Sequence, residues 1–313
     1  MQAAVFGLVA ASFTAVYITQ PVLPVIRVEF GVSETTASLT TCLAAYLARS
    51  LPVERLSVVM GSYVSATIAG GMGGRLLGGW IHPPLHWRYA FVTSAVLLVA
   101  AAAAAARILP REPAERAPEE AGIGFLQLVS RADVIRMLAV AFTSFAVFSA
   151  IFNYLPFYLS APPIRAPVRV VTLLYLAYIV GMAAGPLAGK LSNRLGSGPT
   201  MSLGAAVLAL AIVCTLVPSL GIIAASLPAV CAGFFGMHAA ALGTLNRRLT
   251  ASRGRANSLY VLSYYLGGAS GISAAGYAYT HAGWRGCVGL GVAVLLVPFA
   301  IGVFETSRAR PHG

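Results

Sequence analysis

The sequence predicts an all-α integral membrane protein of about ten apolar helices, and three observations predict it. Of its 313 residues, 58% are hydrophobic and only 10% are charged, whereas a soluble domain carries about 25% charged residues. The mean hydropathy is +0.81, so apolar side chains outnumber the places an interior can offer and must face lipid as well as each other. Long apolar stretches recur along nearly the whole chain, separated by short segments that hold most of the arginines.

A membrane span takes about 20 apolar residues. Candidate spans run over 3–26, 33–50, 56–80, 88–107, 137–160, 168–190, 199–217, 221–245, 256–280 and 286–304. The first opens almost at Met1, with no basic stretch before it and no small-residue cleavage site after it, so it reads as a span and not as a removable leader. The second is short: Ser33 to Arg49 covers about 24 Å at ~1.5 Å per residue, so it is tilted, re-entrant or distorted. The fourth carries the low-complexity run Ala100–Ala106, which makes one thin helix. Between the fourth and fifth spans, Leu109 to Arg136 is charged and rich in proline, the composition of a flexible linker. Within it Ile123, Phe125, Leu126 and Val129 fall at helical spacing, as in a short interfacial helix. The expected organisation is a four-span bundle over 1–108, a cytoplasmic linker over 109–136, a six-span bundle over 137–308 and a cytoplasmic tail over 309–313.

The net charge of +12 comes from 21 Lys and Arg against 9 Asp and Glu. On a soluble chain that excess would suggest nucleic acid; on this one it fits a cationic cytoplasmic rim. With both termini inside, the inner loops and tail hold 15 of the 21 basic residues, so the expected orientation is N-in, C-in, in a bacterial inner membrane. Cys42, Cys214, Cys231 and Cys287 form no CxxC pair and read as buried small hydrophobes, with no metal or disulfide framework. No paired carboxylates, HExxH or GxSxG pattern stands out, so no enzyme and no cofactor are expected. Gly185-Pro-Leu-Ala-Gly-Lys190 is one residue short of a phosphate loop, has Leu191 where Ser or Thr belongs and follows no strand.

The two halves repeat. Tyr63 matches Tyr260, Gly70-Gly71 matches Gly267-Gly268, Gly74 matches Gly271, Gly79 matches Gly276 and Trp87-Arg88 matches Trp284-Arg285, every pair 197 residues apart. The earlier helices match more weakly at 132 apart: Phe13 with Phe145, and Leu23-Pro24 with Leu155-Pro156. The first half is therefore shorter by the 65 residues separating the two offsets, about two spans with their loops.

Together with the run Gly185-Pro-Leu-Ala-Gly-Lys-Leu-Ser-Asn-Arg-Leu-Gly196, these residues resemble the major facilitator superfamily, which has twelve spans in two six-helix repeats. Gln20-Pro-Val-Leu-Pro24, Ser33 to Leu39, Gly70 to Gly79 and Trp87-Arg88 resemble its bacterial drug-efflux branch, the acriflavine-sensitivity and arabinose-efflux type of proton antiporter. The resemblance implies a two-bundle fold of 4 + 6 helices instead of twelve, with the end of span two, all of span three and the start of span four missing near Thr41-Cys42-Leu43. It implies efflux of a small or lipophilic solute by alternating access, with protons as a second partner, in a monomer that has no nucleic-acid partner. The alternative expectation is a shortened membrane protein, left by a deletion or a gene-model error, that no longer transports.

Candidate site residues carry competing readings. Tyr17, Gln20, Asn153 and Tyr154 lie on the paired first helices of the two halves, which line the cavity in the family. Their polar groups either orient a ligand or hydrogen-bond a neighbouring helix. Arg75, matched by Ile272 in the repeat, either snorkels to the interface or makes a substrate or gating contact. His238 is either a proton carrier or a satisfied core histidine. In the loop motif Gly185, Gly189, Lys190, Asn193, Arg194 and Gly196, Asn193 replaces the family's aspartate, which puts the gating salt bridge attributed to that motif in question. Gly70, Gly71, Gly74, Gly78, Gly267, Gly268 and Gly271 have the small-xxx-small spacing of close helix packing, which overlaps with a flexible gate. Apart from Glu34, at the outer end of the short span 33–50, no Asp or Glu falls inside a span; Glu29 lies at the same outer end, Glu54 in an inner loop and Glu305 near the tail.

Overall fold

The computed structural model describes residues 56–82, 84–108, 123–249 and 252–309. The spans expected over 3–26 and 33–50, with Tyr17 and Gln20, lie outside the described residues, as do most of the linker and the end of the tail.

Every regular element among the described residues is helical: α1 (Leu56–Ile81), α2 (Arg88–Ile108), α3 (Phe125–Val129), α4 (Ala132–Ser160), α5 (Val168–Leu174), a 3₁₀ turn (Tyr175–Ala177), α6 (Tyr178–Leu195), α7 (Ser197–Cys214), α8 (Leu220–Arg248) and α9 (Arg253–Ala309). Among the described residues, five helical stretches are long and apolar enough to cross a membrane: Ala132–Ser160, Val168–Leu195, Ser197–Cys214, Leu220–Arg248 and Arg255–Arg308. The last holds both spans expected over 256–280 and 286–304. It turns back at Gly283, whose φ of 58° and ψ of −149° suit glycine almost alone. Cys287 Sγ thereby comes 3.4 Å from the Ala275 carbonyl, twelve residues earlier, where a straight helix would leave about 18 Å.

The chain forms two compact units. One takes Met1–Glu115 with Leu155–Tyr178, the other Arg116–Tyr154 with Ile179–Gly313. Both α4 and α6 contribute to each.

In the second unit the core gathers Leu128 of α3, Met137, Val140 and Ala141 of α4, Met201 of α7, Ala240 and Leu245 of α8 and Tyr260 of α9. Lipid offers helices no hydrophobic drive to associate, so small residues that let backbones approach supply van der Waals contact instead. Gly204 of α7 and Gly233 of α8 do this as a pair: a Cβ on Gly204 would stand 2.8 Å from the Gly233 carbonyl, and one on Gly233 2.6 Å from the Gly204 carbonyl. Gly267 and Gly271 of α9 lie on the backbone of α4 at Phe142 and Ala146. The short α3 is capped by the Gln127 side chain, which accepts from the Gly124 N–H at 3.2 Å, and it turns Leu128 into the core while Leu126 stays outside.

In the first unit α1 packs on α5 and the 3₁₀ turn. Gly79 lies where any side chain would overlap Thr172. The α1–α2 connection buries Trp87, while Arg88 stacks on its ring at 4.8 Å and stays exposed.

Burial repeats with the sequence. Gly70 and Gly267, Gly71 and Gly268, Gly74 and Gly271, Gly79 and Gly276, and Trp87 and Trp284 are buried in both copies, and Arg88 and Arg285 are exposed in both. Arg75 and Ile272 are also both buried, at 2% and 7% exposure. The position the repeat gives to an isoleucine holds a guanidinium.

Candidate functional site

Helices α4, α8 and α9 bring an aromatic cluster together in the second unit. Phe145 stacks on Tyr264 with ring centroids 3.6 Å apart, and Phe148 stacks on Phe234 at 4.0 Å. Tyr265 meets Phe145 edge-on at 6.1 Å. Glycine makes this possible, since a Cβ on Gly268 would stand 2.7 Å from the Phe145 ring.

His238 sits at the rim of this cluster, 5.2 Å from the Tyr264 ring and 6.0 Å from Phe234. The Tyr260 hydroxyl lies 3.1 Å from His238 Nδ1 and 3.3 Å from the His238 carbonyl oxygen. One hydroxyl proton cannot serve both. Either Tyr260 donates to Nδ1, or it donates to the carbonyl and accepts from a protonated Nδ1. The heavy-atom geometry accommodates either proton arrangement. Asn153 and Tyr154 lie on α4, fully buried, with Tyr154 5.3 Å from Tyr279 of α9.

Arg75 lies in the first unit. Its Nη1 donates to the Gly71 carbonyl at 2.8 Å, and its guanidinium carbon lies 4.6 Å from the Tyr178 ring centroid and 5.3 Å from that of Tyr175. A charge inside the bilayer costs roughly 3 kcal/mol or more, and two tyrosine faces offset part of it. At 2% exposure Arg75 is buried within the protein.

The run 185–196 is helical through Leu195, and the turn into α7 is made at Gly196 alone, with φ of +93°. The expected inner loop is thus compressed to a single turn, because a left-handed residue reverses the chain without extra length. Asn193, Arg194 and Lys190 are exposed, and a Cβ on Gly185 or Gly189 would meet nothing within 4 Å.

Sequence reasoning passed over Glu305. It is 5% exposed and joins three helix ends: it accepts from Arg136 Nε of α4 at 2.7 Å and from Arg248 of α8. Its signal was present in the sequence, because Arg136 and Arg248 stand at the ends of two other expected spans. Tyr175 and Tyr178 carried no such signal, being ordinary aromatics in an apolar run.

The sequence profile of the Major Facilitator Superfamily matches residues 3–248 and 170–313. The inner membrane transport protein YnfM of Escherichia coli (strain K12) is 29% identical over 256 residues, covering 80% of this chain and 61% of YnfM. The MFS-type transporter YybF of Bacillus subtilis (strain 168) is 25% identical over 279 residues, covering 88% of this chain and 69% of YybF. The chain thus spans between 61% and 69% of the length of these curated relatives. A bacterial homolog of the human lysosomal transporter Spinster, solved in an inward-facing and unoccupied conformation, superposes with a TM-score of 0.72 at 13% identity, covering 98% of this chain and 96% of that one. A bacterial homologue of the iron transporter ferroportin in an outward-facing state gives 0.57 at 16% identity, covering 97% and 84%. At these identities the solved structures speak for the fold alone, and the profile decides the family. The chain belongs to the Major Facilitator Superfamily.

Proposed function

We propose that the chain is a transmembrane secondary transporter that exports a small, lipophilic solute by alternating access, coupled to protons. The observation that carries the reading is the His238–Tyr260 pair at the edge of the aromatic cluster of Phe145, Phe148, Phe234 and Tyr264. Aromatic faces suit an apolar solute, and a histidine with two proton arrangements suits a coupling group. Asn153 and Tyr154 on the same α4 are further proposed solute contacts; Tyr17 and Gln20, expected in the span over 3–26, are proposed as contacts on the strength of the family resemblance alone. The orientation is N-in, C-in in the inner membrane, as a monomer.

Solute flux in proteoliposomes, with and without a proton gradient, tests this. Flux above empty vesicles that rises with the gradient is expected, and His238→Ala removes the gradient dependence. Flux equal to empty vesicles across a broad panel of lipophilic solutes sinks the reading.

A second reading has its own observation. The 65-residue difference between the two repeat offsets, with the chain's 61–69% span of its relatives, favours a shortened membrane protein that does not transport. The same flux measurement separates the two.

A further inference from the structure

Three features of the first unit meet at one place. Arg75 of α1 is buried, with its guanidinium carbon over the rings of Tyr178 and Tyr175. Those two tyrosines bracket the 3₁₀ turn Tyr175–Ala177, which interrupts the otherwise α-helical stretch Val168–Leu195. A short 3₁₀ stretch inside a longer helix marks a hinge or strain. Four residues beyond Arg75, Gly79 leaves room only for Thr172 of α5.

Packing alone does not require a cation here. The repeat places Ile272 at the position equivalent to Arg75, and Ile272 is buried without one. What a guanidinium adds is a contact that depends on dryness. A cation over aromatic faces is strong when desolvated and weak once water reaches it. Such a contact resists the first opening and then gives way, which is the behaviour of a two-state element. It also joins α1, from the first repeat of the sequence, to the α5 limb, from the second. In an alternating-access protein those repeats are the parts that rearrange.

We propose that Arg75, Tyr175 and Tyr178 form a latch that locks α1 onto the α5 limb, and that the 3₁₀ turn is the hinge at which that limb moves when the latch releases. The proposal rests on the transport reading, since solute passage is what the opening serves.

The test uses the full chain in proteoliposomes with Thr172→Cys as reporter. Thr172 is buried, so N-ethylmaleimide should reach position 172 slowly while the latch holds. Labelling is read at each cysteine by mass spectrometry, with buried Cys231 of the second unit as the folding reference. Arg75→Ala and Tyr178→Leu should raise labelling at position 172 by about tenfold or more, the order that a desolvated cation–π contact contributes to an equilibrium. Tyr178→Phe keeps the ring and should stay near the parent rate. The latch is overturned if Arg75→Ala remains within about twofold of the parent. It is overturned equally if Tyr178→Phe rises as far as Tyr178→Leu. Labelling of Cys231 alongside position 172 would make Arg75 an ordinary stabiliser, which also overturns it. Labelling reads the latch whether or not solute moves, so raised labelling without flux retains the latch and sinks only the transport reading.

Discussion

A single carboxylate ties together three helix ends of the second unit. Glu305 receives Arg136 and Arg248, and Asp133, paired with Arg131 at 2.8 Å, is its only acidic companion among the described residues. Removing one member of a fully buried ion pair costs about 3–5 kcal/mol, because the charge left behind is uncompensated. Here the side chains of Arg136 and Arg248 are 18% and 36% exposed, so water takes up part of that loss. Glu305→Gln should therefore destabilise by about 1–2 kcal/mol, seen as a lower midpoint of thermal unfolding in detergent. An unchanged midpoint would mean the bridge is ornamental. At this scale the sequence is readable where a residue breaks its surroundings. Arg75 stands out as a charge in an apolar helix, and His238 as a titratable group in another. Their partners do not stand out. Tyr178 becomes notable only because the chain folds it under a guanidinium, and Tyr260 only through its match with Tyr63.

Among the elements, spans are the most legible part, since twenty apolar residues in a row have few other uses. What closes them is harder to see. The turn at Gly196 needs one left-handed residue where an open loop was expected, and the reversal at Gly283 leaves two spans in one helical run. Polar residues flank both turns, Ser192 to Arg194 before the first and Thr280-His281 before the second, but they mark a break between spans and not how tightly it closes. Glycine serves two opposite purposes within these helices, and the sequence does not sort them. Gly204 is pressed against the Gly233 backbone, whereas Gly289 on α9 has nothing within 4 Å of its missing side chain. Gly204→Ala should cost about 1–3 kcal/mol by overpacking. Gly289→Ala should gain about 0.5–1 kcal/mol, because alanine loses less backbone entropy in a helix. Opposite shifts in the unfolding midpoint are the expected result, and shifts of the same sign would refute the distinction.

For the whole molecule, the repeat and the apolar spans together point to the family, and the profile match over most of the chain establishes it. The sequence is silent on which parts of the two repeats share a compact unit, because composition and periodicity do not record distance between distant segments. Orientation rests on arginine bias alone and has a direct check. Leu85 in the α1–α2 connection and Asn193 near the α6–α7 turn are both exposed. With the N-terminus inside, Leu85→Cys should react with a membrane-impermeant maleimide in intact cells, and Asn193→Cys only after permeabilisation. The reverse pattern would invert the topology.

A helix written twice in one chain serves as its own control. Both copies meet the same steric demands, so their agreement at the glycines and at the buried tryptophans reports on architecture. Disagreement reports on something else. Arg75 opposite Ile272 is such a departure, a charge in one copy where the other keeps a hydrocarbon. A duplicated element thus lets specialisation be read from one sequence, as the difference left over when one copy is laid on the other.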